Sequence, residues 1–205
     1  SHSLQVKLGQ TEEGQPEAVV LSKKIVVTHR PFPTQYLTIP ASTLASYDNP
    51  QNKADDKAIL DSMKPFDRVQ HWSTQFSIPV EARESTGFGQ KRLYNGWKKG
   101  WHKGLDLAGW EGQPVLAPGG AKVLHTARGI VNGNTVVLGH GMGLATVYMH
   151  LNSIDVQAGS GVEEGHQIGT VGGTGGFAPH LHWEARVWGV PIDPKSLFSL
   201  PEGFR

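Results

Sequence analysis

A chain of 205 residues, 38% of them hydrophobic and with a formal net charge of +1, can bury the core of one domain, or of a domain with a smaller partner. These values exclude wholesale disorder and leave no electrostatic footprint for a nucleic-acid partner. No run approaches the roughly 18 apolar residues of a membrane-spanning helix.

Twenty-six glycines and 13 prolines predict many tight turns between short strands, hence a mostly β fold with antiparallel sheets. The chain opens at Ser1 without a methionine, as a processed start would. Residues 18–21 and 24–27 read as strands by alternation, and residues 36–39 as another, closed by Pro40. From Asn52 to Met63 the helix formers around Lys53, Ala54 and Ala58 predict a helix with Asn52 as its cap. Together these form a small β-rich module with a helix over residues 1–78.

A glycine-marked entry through Gly87 and Gly89 opens a second part, residues 79–205. Its predicted strands are 114–117, 121–127, 135–138, 145–150, 167–171 and 180–187, and a short helical turn follows Asp193-Pro194. No internal repeat or low-complexity segment is evident.

The chemistry lies in this second part. Cysteine is absent, so any metal must be held by imidazole, carboxylate or carbonyl groups. His102 and Asp106 are four residues apart, and His180-Leu181-His182 carries two imidazoles on one face of a predicted strand, about 6.5–7 Å apart along it. That separation suits one ring on a metal and its neighbour facing a substrate. His150 closes another predicted strand. Two imidazoles and a carboxylate with an open fourth position make a catalytic rather than a structural zinc site, and further histidines can carry protons near neutral pH. With ten histidines in the chain, either pair alone is a weak signal, and the argument rests on their joint occurrence.

The segment from Phe88 to Phe198 resembles the lysostaphin-like (LytM-type) peptidoglycan metalloendopeptidases. The resemblance is carried by His102-Lys103-Gly104-Leu105-Asp106, Pro114-Val115-Leu116-Ala117-Pro118, Thr146-Val147-Tyr148-Met149-His150, Ile168-Gly169-Thr170-Val171-Gly172, Pro179-His180-Leu181-His182-Trp183-Glu184 and Pro191-Ile192-Asp193-Pro194. It implies one zinc ion per chain held by His102, Asp106 and His182, with His150 and His180 as the catalytic imidazoles, their division of labour left open. It also implies a tyrosine assisting the oxyanion, for which Tyr94 is the candidate. The implied substrate is the peptide stem or cross-bridge of bacterial peptidoglycan, in the periplasm or extracellular envelope, acted on by a monomer. The N-terminal region is similar to that of some Gram-negative-type members, which favours the D-alanyl cross-link over a glycyl-glycine bridge.

The loop before the final motif departs from the family pattern near Ala178. A non-catalytic, wall-binding activator of an amidase and a metal-free structural or carrier module are the rivals; the complete set of five side chains argues against the first, and zinc content with peptidoglycan cleavage discriminates the second. Among the remaining residues, His125, His140 and His166 read as ordinary surface or loop histidines. Trp97, Trp101 and Trp110 read equally as an aromatic wall or as packing, and Trp183, next to His182, as core. Lys98, Lys99 and Lys103 read as solvated surface, and Asn95 as a turn former.

Overall fold

The structure is a computed structural model that describes residues 2–8, 19–25, 30–72 and 75–199. Contacts divide the chain into two units, Ser1–Phe32 and Pro33–Arg205. In the first, β1 (His2–Leu8) and β2 (Val19–Ile25) form an antiparallel pair. Ala18, Val26 and Val27 of the two strands expected there lie outside the described residues.

The second unit opens with β3 (Thr34–Leu37), α1 (Ala41–Ser46) and α2 (Pro50–Ser62). Asn49 caps α2, its Oδ1 accepting from Gln51 N at 2.8 Å. Asn52, the expected cap, is instead a buried residue inside the helix. Pro50 explains the shift, because its fixed φ suits the first helical position and its missing N–H is one that would lack a partner anyway. The six-residue α1 was not foreseen.

The strands that follow are β4 (Glu84–Thr86), β5 (Lys91–Tyr94), β6 (Lys98–Trp101), β7 (Leu105–Leu107), β8 (Pro114–Leu116), β9 (Ala121–Arg128), β10 (Asn134–Gly141) and β11 (Leu144–Leu151). Then come β12 (Ser153–Ile154), β13 (Gly161–Val162), β14 (Gln167–Thr170), β15 (Leu181–Val187) and β16 (Val190–Ile192), and a 3-10 helix over Pro194–Ser199. The expected strands over residues 114–117, 121–127, 135–138, 145–150, 167–171 and 180–187 all coincide with observed ones to within a few residues.

The main sheet runs β13-β9-β10-β11-β15-β7-β4, with β16 added beside β15, and its pairings are antiparallel. A second sheet joins β12, β14 and β8. A third runs β3-β5-β6, in which β3 pairs in parallel with β5. That pairing, and the packing of Ile59 from α2 on Val137, Val147 and Met149, tie residues 33–78 to the strands that follow. The contact boundary therefore falls at residues 32/33, whereas the change of character along the sequence falls at 78/79.

The main sheet is covered on both faces. One face carries the larger core, with Leu138, Tyr148, Leu181, Trp183 and Ala185 all fully buried. The other carries Val137, Val147 and Met149 beneath α2. This double coverage explains why β10 and β11 read as near-continuous apolar runs rather than as clean alternations. The faces are also chemically distinct, since the site lies wholly on the second.

Candidate metal centre

Strand pairing brings the two halves of the motif together. His182 of β15 lies directly opposite Asp106 of β7 on one side and Met149 of β11 on the other. Opposed residues share a face, so Asp106, His182 and Met149 point the same way and Trp183 points into the core. His102 reaches them from the short connection between β6 and β7. Gly104, the last residue of that connection, makes the approach feasible: a Cβ there would sit 2.4 Å from the Trp183 carbonyl oxygen and 3.0 Å from His182 Cε1.

Three side-chain atoms converge. His102 Nε2 is 2.9 Å from Asp106 Oδ1, His182 Nδ1 is 2.7 Å from the same oxygen, and the two nitrogens are 3.0 Å apart. Their outward atoms are held as well. His102 Nδ1–H donates to Gly87 O at 2.7 Å, and His182 Nε2–H donates to Glu184 Oε1 at 3.2 Å. Arg92 donates to the other carboxylate oxygen of Asp106 at 3.1 Å. A carbonyl or carboxylate partner can only accept, so in each neutral ring the proton sits on the outer nitrogen and the inner one offers its lone pair.

The centre therefore gathers two nitrogen lone pairs and a carboxylate oxygen, an arrangement stable only with positive charge among them. Titration behaviour agrees. Burial disfavours ionisation of Asp106, yet the His102 and His182 imidazoles facing it hold its carboxyl below the usual carboxylate range. Burial likewise opposes a charge on His182, but Asp106 and Glu184 on either side raise it to about 9. His102, with a neutral carbonyl as its outer partner, is lowered by burial. Two imidazoles and one carboxylate, each braced from outside and with room for a further ligand, fit zinc of the catalytic type.

His150 arrives by a different device. Between the opposed pairs Asn134–Leu151 and Val136–Tyr148, β10 supplies one residue and β11 supplies two. This is a β-bulge, and His150 occupies it with φ 65. Without the extra residue, alternation would send His150 to the core face with Tyr148 and Thr146. The bulge turns it to the other face, where its ring centroid lies 6.0 Å from that of His182 and 4.8 Å from that of His180. The left-handed backbone costs about 1 kcal/mol for a residue with a Cβ, and His150 is braced by donation from Nδ1 to Thr174 O at 3.0 Å. Burial and the neighbouring His182 and His180 push its pKa down to about 3.

His180, two residues before His182, shares its face as its spacing predicts. Its Nδ1 donates to Ala178 O at 2.8 Å, and its Nε2 is 3.9 Å from Asp106 Oδ1. Both His150 and His180 thus spend Nδ1–H on a backbone carbonyl and keep Nε2 free as a proton acceptor.

Tyr94 is buried in the wall of the same groove, its ring 5.5 Å from that of Tyr47. Tyr47 was missed by sequence reasoning. It follows α1, remote from every motif, and burial beside Tyr94 raises its phenol well above the ordinary range. Asn95 is a turn residue with φ 49, bonded in both directions to the Ile39 backbone at 2.9 Å.

Of the remaining histidines, His166 is exposed and His125 half-buried, but the expectation for His140 fails. It is fully buried, with Nδ1 donating to Gly120 O at 2.9 Å and Nε2 accepting from Thr146 Oγ1 at 2.8 Å. Its partners come from the residue before β9 and from the neighbouring strand β11, so no local pattern announced it. Trp97, Trp101 and Trp110 are exposed, and Trp183 is core.

Comparison with known proteins agrees with this architecture. Residues 100–194 match the model of Peptidase family M23. The chain is 38% identical over 125 residues to the DD-carboxypeptidase/endopeptidase Mpg of Neisseria meningitidis serogroup B, an alignment covering 60% of this chain and 28% of that protein. It is 29% identical over 123 residues to the murein hydrolase activator NlpD of Salmonella dublin, covering 60% and 33% respectively. The chain thus spans about a third or less of the curated relatives it matches. The catalytic domain of the antimicrobial peptidase lysostaphin from Staphylococcus simulans superposes with a TM-score of 0.52 at 31% identity, over 58% of this chain and 93% of that domain. With the motif order, the antiparallel sheet and nearly the whole of that domain matched, the chain belongs to peptidase family M23.

Proposed function

We propose that this chain is a zinc-dependent endopeptidase of the bacterial envelope, periplasmic or extracellular, that hydrolyses amide bonds in the peptide part of peptidoglycan, the D-alanyl cross-link foremost. The catalytic part is assigned to residues 79–205. The observation that carries the reading is the convergence of His102 Nε2, Asp106 Oδ1 and His182 Nδ1 in one buried cluster, with two further imidazoles beside it.

Zinc held by His102, Asp106 and His182 would supply Lewis-acid polarisation of the scissile carbonyl and would acidify water. The other steps belong to the chain. His150 and His180, each with Nδ1 bonded to a backbone carbonyl, turn Nε2 to the groove, so one takes the proton of the attacking water and the other stabilises the oxyanion or protonates the leaving amine. Their rings are oriented before substrate arrives by the Thr174 and Ala178 carbonyls, so no reorganisation is needed during the reaction. Tyr94, in the groove wall, is assigned to assist at the oxyanion.

The D-alanyl preference is supported by the similarity to a protein named a DD-carboxypeptidase/endopeptidase. The similarity to a murein hydrolase activator keeps a second reading, binding without catalysis, against which the full set of five side chains stands. The test combines elemental analysis after exhaustive dialysis with mass spectrometry of fragments released from purified cross-linked walls, of both the D-alanyl and the glycine-bridged type. One zinc per chain, with chelator-sensitive release of D-alanyl-cleaved stems, is expected. A metal-loaded chain that leaves both walls intact would overturn the enzymatic reading in favour of the binding one.

A further inference from the structure

The two imidazoles of the cluster are braced by different means. His102 leans on a main-chain carbonyl, Gly87 O, whereas His182 leans on a side chain, Glu184, which is itself gripped. Arg186 donates from Nε to Glu184 Oε2 at 2.7 Å and pairs with the same oxygen through its terminal nitrogen at 2.6 Å. Its remaining nitrogen donates to Gly189 O at 2.8 Å, in the turn between β15 and β16. His182, Glu184 and Arg186 are alternate residues of one strand and share one face. Both charged residues are almost wholly buried, at 3% and 6% exposure.

Burying such a pair is expensive, and two apolar side chains of similar volume often serve stability as well or better. The orientation of this pair has a further consequence. Arg186 claims Oε2 with two donors, which turns Oε1 towards His182 Nε2. We propose that Glu184, clamped by Arg186, is a positioning residue that fixes the proton of His182 on Nε2 and thereby presents the Nδ1 lone pair to the cation. This rests on the zinc reading given above.

The chemistry of an isosteric change shows why the carboxylate matters. A glutamine at 184 has a single oxygen, which the two Arg186 donors attract. Its NH2 group then faces His182 Nε2, which must accept, and the ring proton moves to Nδ1, the atom that has to be free.

The test measures zinc affinity by competition with a chromophoric chelator, the visible spectrum of the cobalt-loaded protein, and melting of the metal-free protein. It compares wild type, E184Q and the double variant E184L/R186L. The double variant removes both charges, so no buried ion is left without its partner. Expected are one tightly held zinc in wild type, a 10–100-fold loss of zinc affinity in both variants, an altered cobalt spectrum, and a double variant that melts no earlier than wild type. Wild-type zinc affinity and an unchanged cobalt spectrum in a folded double variant would overturn the positioning role while leaving the zinc reading intact. Failure of the wild-type chain to take up zinc at all would overturn both.

Discussion

Asp106 and His182 face each other across the β7–β15 ladder, Oδ1 to Nδ1 at 2.7 Å, although 76 residues separate them in the chain. His180 lies on the same strand face, yet its Nε2 stays 3.9 Å from that oxygen. This division between a ring in the cluster and a ring beside it predicts two distinguishable losses. His182→Ala should remove most of the bound zinc and all cleavage of peptidoglycan. His180→Ala should abolish cleavage while retaining close to one zinc per chain. Metal analysis of the two purified variants beside an activity assay checks this, and equal zinc loss in both would refute the assignment.

Gly104 predicts an effect at a distance from any reacting group. In Gly104→Ala the new methyl overlaps the Trp183 carbonyl oxygen and crowds His182 Cε1, and neither neighbour is a flexible chain end. Overpacking of this kind costs about 1–3 kcal/mol. Zinc affinity should fall together with the melting temperature, and both can be read from thermal denaturation with and without added metal.

Thr174 is predicted to hold His150 in its bulge. Its hydroxyl donates to Leu151 O at 2.8 Å and accepts from Asn134 N at 2.9 Å, and its carbonyl takes the His150 Nδ1–H. Thr174→Val keeps the shape but strips two backbone groups of their partner, a loss of about 1–3 kcal/mol. Cleavage should slow more than zinc binding weakens, because His150 lies outside the zinc cluster. Parallel chelator titration and rate measurement separate the two.

His140 predicts a pH dependence unrelated to catalysis. Burial lowers its pKa from 6.5 to about 4, so the folded protein holds it neutral while the unfolded chain takes up a proton at higher pH. Its contribution to stability is complete above pH 6.5 and is lost progressively as pH falls towards about 4, by about 3 kcal/mol in all. Denaturant titrations of wild type and His140→Gln at pH 7.5 and pH 4.5 should show the gap between them narrowing on acidification.

The sequence disclosed the site more fully than the scaffold around it. The paired motifs were legible because a cation site built from imidazole and carboxylate restricts residue type and spacing, and the longer strands because β10 and β11 are strongly apolar and β15 alternates. Five features were not. The parallel β3–β5 pairing and the short α1 leave no periodic trace. Asn52 was mistaken for a cap because Pro50 moved the helix start upstream. The burial of His140 depends on Gly120 and Thr146, which only the folded sheet brings near. The bulge at His150 follows from the register between two strands, which neither strand encodes alone.

That bulge makes the proposed reaction depend on parity. Tyr148 and His150 differ by an even number along β11 and yet project to opposite sides, one into the apolar interior and one into the groove. Inserting a single residue opposite the bulge, beside Thr135, would restore ordinary alternation. The imidazole would then turn away with every reactive side chain still present, and the proposed endopeptidase would be disabled by arithmetic rather than by chemistry.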